Sequence, residues 1–357
     1  MNGFDGARLQ RAWDLLDEAV RRGEIPGAVA VVGRRGLPDV GPVATGRAAV
    51  HPEPRPMTPD TMFDLASLTK VLGTAMACWT SIERGRLRLD DDVRALLPGF
   101  AGAGVRVRHL LTHSSGLPAS RDLRAAGRDP AERLAAALRE PALRPPGQTV
   151  VYSDMGFIVL GALLAAVAGV PLPELARREV FAPLGMAETC WLPPAAWLPR
   201  IAPTEWSDEV GGWVWGRVHD ENARALGGVA GHAGLFATAA DVARLGRALL
   251  EGGDGVLSPR TVAVMAENAT ASLNDDRTLG WQARGRGNSA GDLMTERAFG
   301  HTGFTGTSLW IDPGLGLFAV LLTNRVHFGR EGTAVAIQRL RPRFHNAVVA
   351  AMEGWPR

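Results

Sequence analysis

Several residue types are scarce in this sequence. Lysine occurs once, at Lys70, among 39 basic residues, which leaves 38 arginines (39 less 1). Tyrosine also occurs once, at Tyr152, and cysteine twice, at Cys78 and Cys190. Two cysteines provide neither a disulfide framework nor a metal-ligand spacing, and Cys78, in an apolar helical stretch, reads as a buried free thiol. The formal charge is only +2 and the arginines are scattered. With no basic patch, neither nucleic acid nor an anionic membrane is an expected partner. The longest apolar run, Gly156 to Val170, falls short of the ~20 residues a membrane helix needs and reads as a buried helix. The first residues lack the basic, apolar, small-residue order of a signal peptide, so a cytoplasmic location is the expectation.

At 357 residues, 46% apolar and 21% charged, the chain has the composition of a soluble globular protein able to bury a large core. Helical spacing runs from Asp5 to Arg22 (Leu9, Ala12, Trp13, Leu16, Val20), and Gly23 closes it. Ala28 to Val32 and Val43 to Ala49 read as strands, and the Pro-rich stretch His51 to Pro59 as a loop. Helices are predicted from Ser67 to Gly85, Val107 to Leu111, Asp129 to Arg139, through the buried run, and over Pro171 to Phe181, Asp241 to Leu250 and Ser258 to Glu267. After Leu279 the pattern turns to strands: Leu279 to Ala283, Arg297 to His301, Thr307 to Ile311 and Leu317 to Leu322. A helix from Ala334 to Met352 ends the chain. Strands at both ends with helices between predict an α/β lobe from 1–62 and 275–357, holding a helical lobe, 63–274, with the site between them.

Chemistry concentrates where the scarce residues lie. Ser67 and Lys70 stand three apart at the start of an apolar helical pattern, so the amine can reach back to the hydroxyl. Serine needs a neighbour to take its proton, and lysine can be neutral for part of the time where arginine cannot. A helix N-terminus also favours a developing oxyanion. Tyr152 opens the buried helix as the Tyr152-Ser153-Asp154 triplet, and a phenol can accept a proton and pass it on. At the end of a predicted strand, Gly300-His301-Thr302-Gly303-Phe304-Thr305-Gly306 offers close backbone approach, N–H groups for a carbonyl oxygen, and an imidazole.

Together Ser67-x-x-Lys70, Tyr152-Ser153-Asp154 and His301-Thr302-Gly303 resemble the three motifs of the serine β-lactamase and penicillin-binding-protein superfamily. In order and spacing they are most similar to class C β-lactamases and the related esterases and peptidases. The surrounding text, Arg108 to Leu117, Gly231 to Phe236 and Leu322 to Arg325, is similar as well. The resemblance implies an α/β (α+β) fold, an antiparallel sheet flanked by the N- and C-terminal helices plus a mostly helical lobe. It implies Ser67 as acylated nucleophile, Lys70 and Tyr152 as shared general base, and the N–H groups of Ser67 and Phe304 as oxyanion hole. Asp154, His301, Thr302 and Gly303 would contact substrate. No cofactor and no metal are implied.

Two departures bear on substrate. Asp154 stands where the family usually has Asn, and is expected to face Lys70 and hold its amine charged unless Tyr152 is the working base. His301 stands where β-lactamases usually have Lys, which removes a fixed positive charge and points to neutral esters or small amides. The tryptophans Trp191, Trp197, Trp206, Trp213 and Trp215 either wall an acyl pocket or pack a loop-rich insertion. His219, Asp220 and His232 fit no common ligand pattern and read as loop-ordering groups. The expected activity is a serine hydrolase acting on esters or amides. The alternatives are transfer of the acyl group to an amine or alcohol, and a sensor acylated once without turnover. A D-alanyl carboxypeptidase would meet its substrate outside the cytoplasm.

Overall fold

The computed structural model describes residues 2–285 and 287–354. Its strands, in chain order, are β1 (Gly27–Arg34), β2 (Val40–Ala49), β3 (Arg55–Pro56), β4 (Met62–Asp64), β5 (Cys190–Trp191), β6 (Trp206–Ser207), β7 (Gly212–Trp213), β8 (Leu235–Thr238), β9 (Gln282–Ala283), β10 (Phe299–Thr302), β11 (Ser308–Asp312) and β12 (Leu317–Thr323). The α-helices are α1 (Gly6–Arg21), α2 (Met76–Glu83), α3 (Val93–Leu96), α4 (Val107–Leu111), α5 (Pro130–Leu138), α6 (Asp154–Ala168), α7 (Leu172–Ala176), α8 (Glu221–Ala225), α9 (Ala239–Leu250), α10 (Pro259–Ala266) and α11 (Glu331–Ala350).

The main sheet runs β3-β2-β1-β12-β11-β10-β9 and is antiparallel throughout. Successive side chains in a strand point to opposite faces, and both faces here are buried. Val29, Val31, Val320 and Leu322 enter one core, while Ala28, Ala30, Val32, Ala319 and Leu321 enter another. Helices α1 and α11 pack on each other and cover the second face; α9 lies on the first, against β12, β1 and β11. The larger core continues from the sheet into α2, α4 and α6, so the sheet and the helices share one apolar interior. The first and last helices thus meet on the sheet, with the middle of the chain inserted between its strands.

Local signals explain most boundaries. The Asp5 carboxylate caps α1 by accepting from the Arg8 N–H. Ser153 caps α6 at the Gly156 N–H, 3.0 Å, and left-handed Gly169 ends it. Asp129 caps α5, with Pro130 opening its first turn.

Three expectations need correction, and one element went unforeseen. The stretch from Ser67 does not begin as a regular α-helix: Ala66 is left-handed (φ 46°), and Lys70–Ala75 forms a π-helical segment before α2. The wide turn accommodates the Trp191 ring, which lies where a Gly73 side chain would be, 2.6 Å from an added Cβ. Pro171 to Phe181 likewise divides into α7 and a π-helical turn, Arg177–Phe181. The strand expected over Leu279 to Ala283 shrinks to Gln282–Ala283, because Gly280 (φ 118°) turns the chain and the Thr278 N–H bonds to the Trp281 carbonyl. A small sheet, β4-β8-β5, was not anticipated from the sequence. Its strands of two to four residues are too short to show a period.

Candidate active site

The residues around Ser67 are held by side chain to backbone bonds. The Asp64 carboxylate is buried; it accepts from the Ala66 N–H (2.8 Å) and the His219 N–H (2.6 Å), fixing the left-handed turn just before the serine. A non-glycine residue in that conformation is strained and persists only where its surroundings enforce it. Neighbouring N–H groups are engaged: Leu68 bonds to the Leu65 carbonyl, Thr69 to that of Ala66, and Gly303 to that of Thr307. Among the described residues, the N–H groups of Ser67 and Phe304 find no protein acceptor.

Lys70 lies in the π-helical turn, fully buried. Its Nζ is 3.0 Å from Ser67 Oγ, 2.7 Å from Asp154 Oδ1 and 3.0 Å from the His232 carbonyl oxygen. An ammonium has three N–H groups, and these three acceptors surround it together with the Tyr152 phenol oxygen. Burial works against the charge, but the Asp154 carboxylate and the Tyr152 phenol oxygen outweigh it and hold the Lys70 pKa above its ordinary value. The expected facing of Asp154 and Lys70 is therefore what the structure has, and the amine is charged at neutral pH.

Tyr152 sits just before α6, partly exposed, with Lys70 Nζ 5.0 Å from its ring centroid. Its neighbours in the chain are gripped by His113. The His113 carbonyl accepts from the Val151 N–H (2.9 Å), its Nδ1 accepts from the Ser153 N–H (3.0 Å), and its ring lies against the phenol at 4.6 Å between centroids. Burial and then the nearby Arg277 push the His113 pKa well below the usual range, so the ring stays neutral and Nδ1 can accept. Ser153 itself caps α6 and bonds to the Pro118 carbonyl, 2.7 Å, which spends its hydroxyl on structure.

The third motif lies at the end of β10. His301 is buried, and its Nδ1 is 2.8 Å from the Thr302 carbonyl oxygen. That bond assigns the ring proton to Nδ1 and leaves Nε2 as an acceptor. Burial first, then Arg277 and Lys70, push the His301 pKa down to about 3, so the imidazole is neutral. Thr302 is partly exposed, Gly303 buried, and the Phe304 ring is 47% exposed at the rim, between His219 and the Arg325 guanidinium. Gly303 has no room for a side chain: an added Cβ would lie 2.1 Å from Thr307 Oγ1 and 2.3 Å from the Leu65 carbonyl oxygen.

The structure thus brings Ser67, Lys70, Tyr152, Asp154 and the His301–Phe304 turn to one place. It adds two residues that the sequence did not single out, His113 and Arg277. The Arg277 guanidinium is 5.4 Å from the Tyr152 ring centroid and is bound at 2.7 Å and 2.9 Å to Asp275 Oδ2. It carries a positive charge into the neighbourhood where His301 carries none. His219 and His232 pair with Glu205 and Asp220, each at 2.8 Å, as loop-ordering groups do. Among the described residues no group of three or more His, Cys, Asp and Glu is placed to hold a metal. The tryptophans separate: Trp191 is core and bonds to the Ala230 carbonyl, while Trp206 and Trp213 stand edge to face on the β6–β7 hairpin. An apolar cavity of about 350 Å³ beside α5 and α6 has no titratable side chain in its wall, so acyl chemistry is not sited there. No single helix among the described residues is long and apolar enough to cross a membrane.

The beta-lactamase family model matches residues 13–341. The chain belongs to the beta-lactamase family. It is a serine hydrolase of that fold. An Escherichia coli (strain K12) protein provisionally named D-alanyl-D-alanine carboxypeptidase is 32% identical over 314 residues, 77% of this chain and 71% of that one. A solved structure described as EstCE1, a hydrolase with promiscuous acyltransferase activity, is 25% identical, with a TM-score of 0.78 over 96% of this chain and 99% of the other. A variant of simvastatin synthase (LovD) from Aspergillus terreus shares the fold at 21% identity, with a TM-score of 0.75 and 98% of each chain covered.

Proposed function

We propose that Ser67 is the nucleophile of an acyl-enzyme mechanism acting on small-molecule esters or amides. The observation that carries this is the threefold setting of the Lys70 amine, between Ser67, Asp154 and the His232 carbonyl. With two acceptors fixed, its remaining N–H points at the serine oxygen and stabilises the alkoxide as it forms. Because Asp154 keeps the amine charged, the serine proton goes to Tyr152. The Tyr152 oxygen takes the proton from Ser67 as the tetrahedral oxyanion forms and passes that same proton to the departing alcohol or amine. The carbonyl oxygen of the substrate, now negative, is received by the Ser67 and Phe304 N–H groups, and one such donor is typically worth ~3 kcal/mol in the transition state. His301 Nε2, Thr302 and Gly303 face the bound acyl group, and water resolves the acyl-enzyme by the reverse proton path.

Transfer of the acyl group to an amine or alcohol is the second reading, favoured by the likeness to EstCE1, whose description names acyltransferase activity.

Intact-mass measurement during exposure to p-nitrophenyl butyrate tests the proposal. The parent protein is expected to show a transient butyryl adduct on Ser67 with continuing turnover, and Ser67→Ala none. An equal rate of ester cleavage in Ser67→Ala contradicts the reading. A stoichiometric burst without turnover would indicate the sensor instead, and faster product release with added amines would indicate transfer.

A further inference from the structure

Arg341 lies in the middle of α11 and is almost fully buried, 7% exposed. Pro342 follows it inside the same helix. Its Nη2 donates to the Gly303 carbonyl oxygen at 2.7 Å and to the Thr307 carbonyl oxygen at 2.9 Å, and its Nε finds no partner. Among the described residues no carboxylate neutralises it; burial, then the neighbouring Arg325, push its pKa down to about 9. A buried cation without a counter-ion is costly, and two backbone carbonyls could be satisfied at lower cost by a neutral donor. Something about the charge at this point needs explaining.

The two carbonyls supply the explanation. The Gly303 carbonyl and the Phe304 N–H belong to the same peptide group. Drawing electron density toward the carbonyl oxygen makes the N–H at the other end a stronger donor, because hydrogen bonds in a chain polarise one another at low dielectric. The same turn is closed by the Gly303 N–H to the Thr307 carbonyl (2.8 Å) and the Gly306 N–H to the Gly303 carbonyl (3.1 Å). It is also tied to the serine side. Thr305 Oγ1 donates to the Asp64 carbonyl (2.7 Å) and Thr307 Oγ1 to that of Leu65 (3.0 Å), on the strand end that leads into Ser67.

We propose that Arg341 is a positioning residue for the oxyanion hole: its guanidinium orients and polarises the Gly303–Phe304 peptide, so that the Phe304 N–H binds the developing oxyanion more strongly. This rests on the acyl-enzyme reading above. It makes the C-terminal helix part of the site through one side chain that touches neither substrate nor serine. One nitrogen, Nη2, donates to both carbonyls, and the delocalised guanidinium keeps its charge at a buried position where an ammonium loses it more readily.

The test follows acylation of Ser67 in single turnover with a cinnamoyl ester labelled with ¹³C at the carbonyl, and the carbonyl stretch of the resulting acyl-enzyme by Raman difference spectroscopy. Removing a whole oxyanion-hole donor costs roughly 10²–10³ in rate. Weakening one is expected to slow acylation about 30-fold in Arg341→Met. KM should change less than about threefold, and the acyl carbonyl stretch should move to higher frequency. Arg341→Lys, which keeps the charge, is expected to recover part of both effects. A merely structural arginine would lower the melting temperature without moving the stretch. Arg341→Met that unfolds cooperatively, acylates within about twofold of the parent and leaves the stretch unmoved overturns the inference. Should that variant not fold, Arg341→Gln, a neutral donor, is read by the same two outcomes. A parent protein that acquires no acyl group at Ser67 overturns both this inference and the reading beneath it. A parent that does, beside an equally fast Arg341→Met, overturns this inference alone.

Discussion

Lys70 and Arg341 are both buried cations, one beside Ser67 and one behind the His301–Phe304 turn, and they show how differently the same burial can end. Lys70 has Asp154 at 2.7 Å, and its pKa rises despite the loss of water. Arg341 has only carbonyl oxygens, and its pKa falls to about 9. Desolvation disfavours charge at both; the partner decides the sign of what remains. On the serine side the charge is locked in place by an acid. On the strand side it is left unneutralised, where its field reaches the adjoining peptide and His301, whose pKa it helps to lower.

Three experiments would break or sharpen this contrast. The largest effect is expected on the strand side. Gly303→Ala places a Cβ against Thr307 Oγ1 and the Leu65 carbonyl, and the turn must shift. A fall of about 10² in kcat/KM is expected, the scale of one lost oxyanion donor. The cost in stability should be about 1–3 kcal/mol, as for other overpacked sites. Steady-state kinetics beside a urea melt separates the two.

A smaller effect is expected on the serine side. Asp154→Asn removes the acid that keeps Lys70 charged, so an alkaline limb in the pH–rate profile should move to lower pH, with roughly tenfold loss near neutrality. The sign in stability follows the raised pKa. The Lys70 contribution is fully present below its unfolded value of 10.5 and is lost as pH climbs through the higher folded value. Alkaline unfolding above about pH 10.5 should therefore flatten in Asp154→Asn. An unchanged profile would mean that Asp154 does not govern the amine.

The smallest effect is acid sensitivity. His301 and His345 are buried and neutral, with pKa values pushed down to about 3 and about 4 by burial. Below their ordinary value of 6.5 the unfolded chain takes up protons that the folded one refuses, so stability falls as pH drops from 6.5 toward those values. Urea melts between pH 7 and 4 should show that slope, shallower in His301→Gln. Activity above pH 5 should carry no limb from His301, which does not titrate there.

The reading of the sequence reached the serine side further than the strand side. Lys70 and Tyr152 stood out because the chain has one of each, and both lie at the start of apolar helical patterns. The strands β1, β11 and β12 were legible from their apolar runs. Arg341 was not, since it is one of 38 arginines and shares a helix with Arg339 and Arg343. Only the packed sheet shows that it turns inward while Arg339 reaches Glu24 at the surface. Arg277 and His113 were hidden for a similar reason: their importance is a distance to Tyr152, and distance between remote segments leaves no periodic trace. The left-handed turn at Ala66 and the π-helical segment were illegible because remote segments meet them: the His219 N–H anchors the Asp64 carboxylate that holds Ala66, and the Trp191 ring packs against Gly73.

The central claim is that the phenol, and not the charged amine, receives the proton of Ser67. Rapid-quench mass spectrometry of Tyr152→Phe, following acyl transfer from p-nitrophenyl butyrate, tests this most directly. Loss of the base should slow the appearance of the adduct on Ser67 by about 10³, with folding intact. Acylation at the parent rate in Tyr152→Phe would contradict the account.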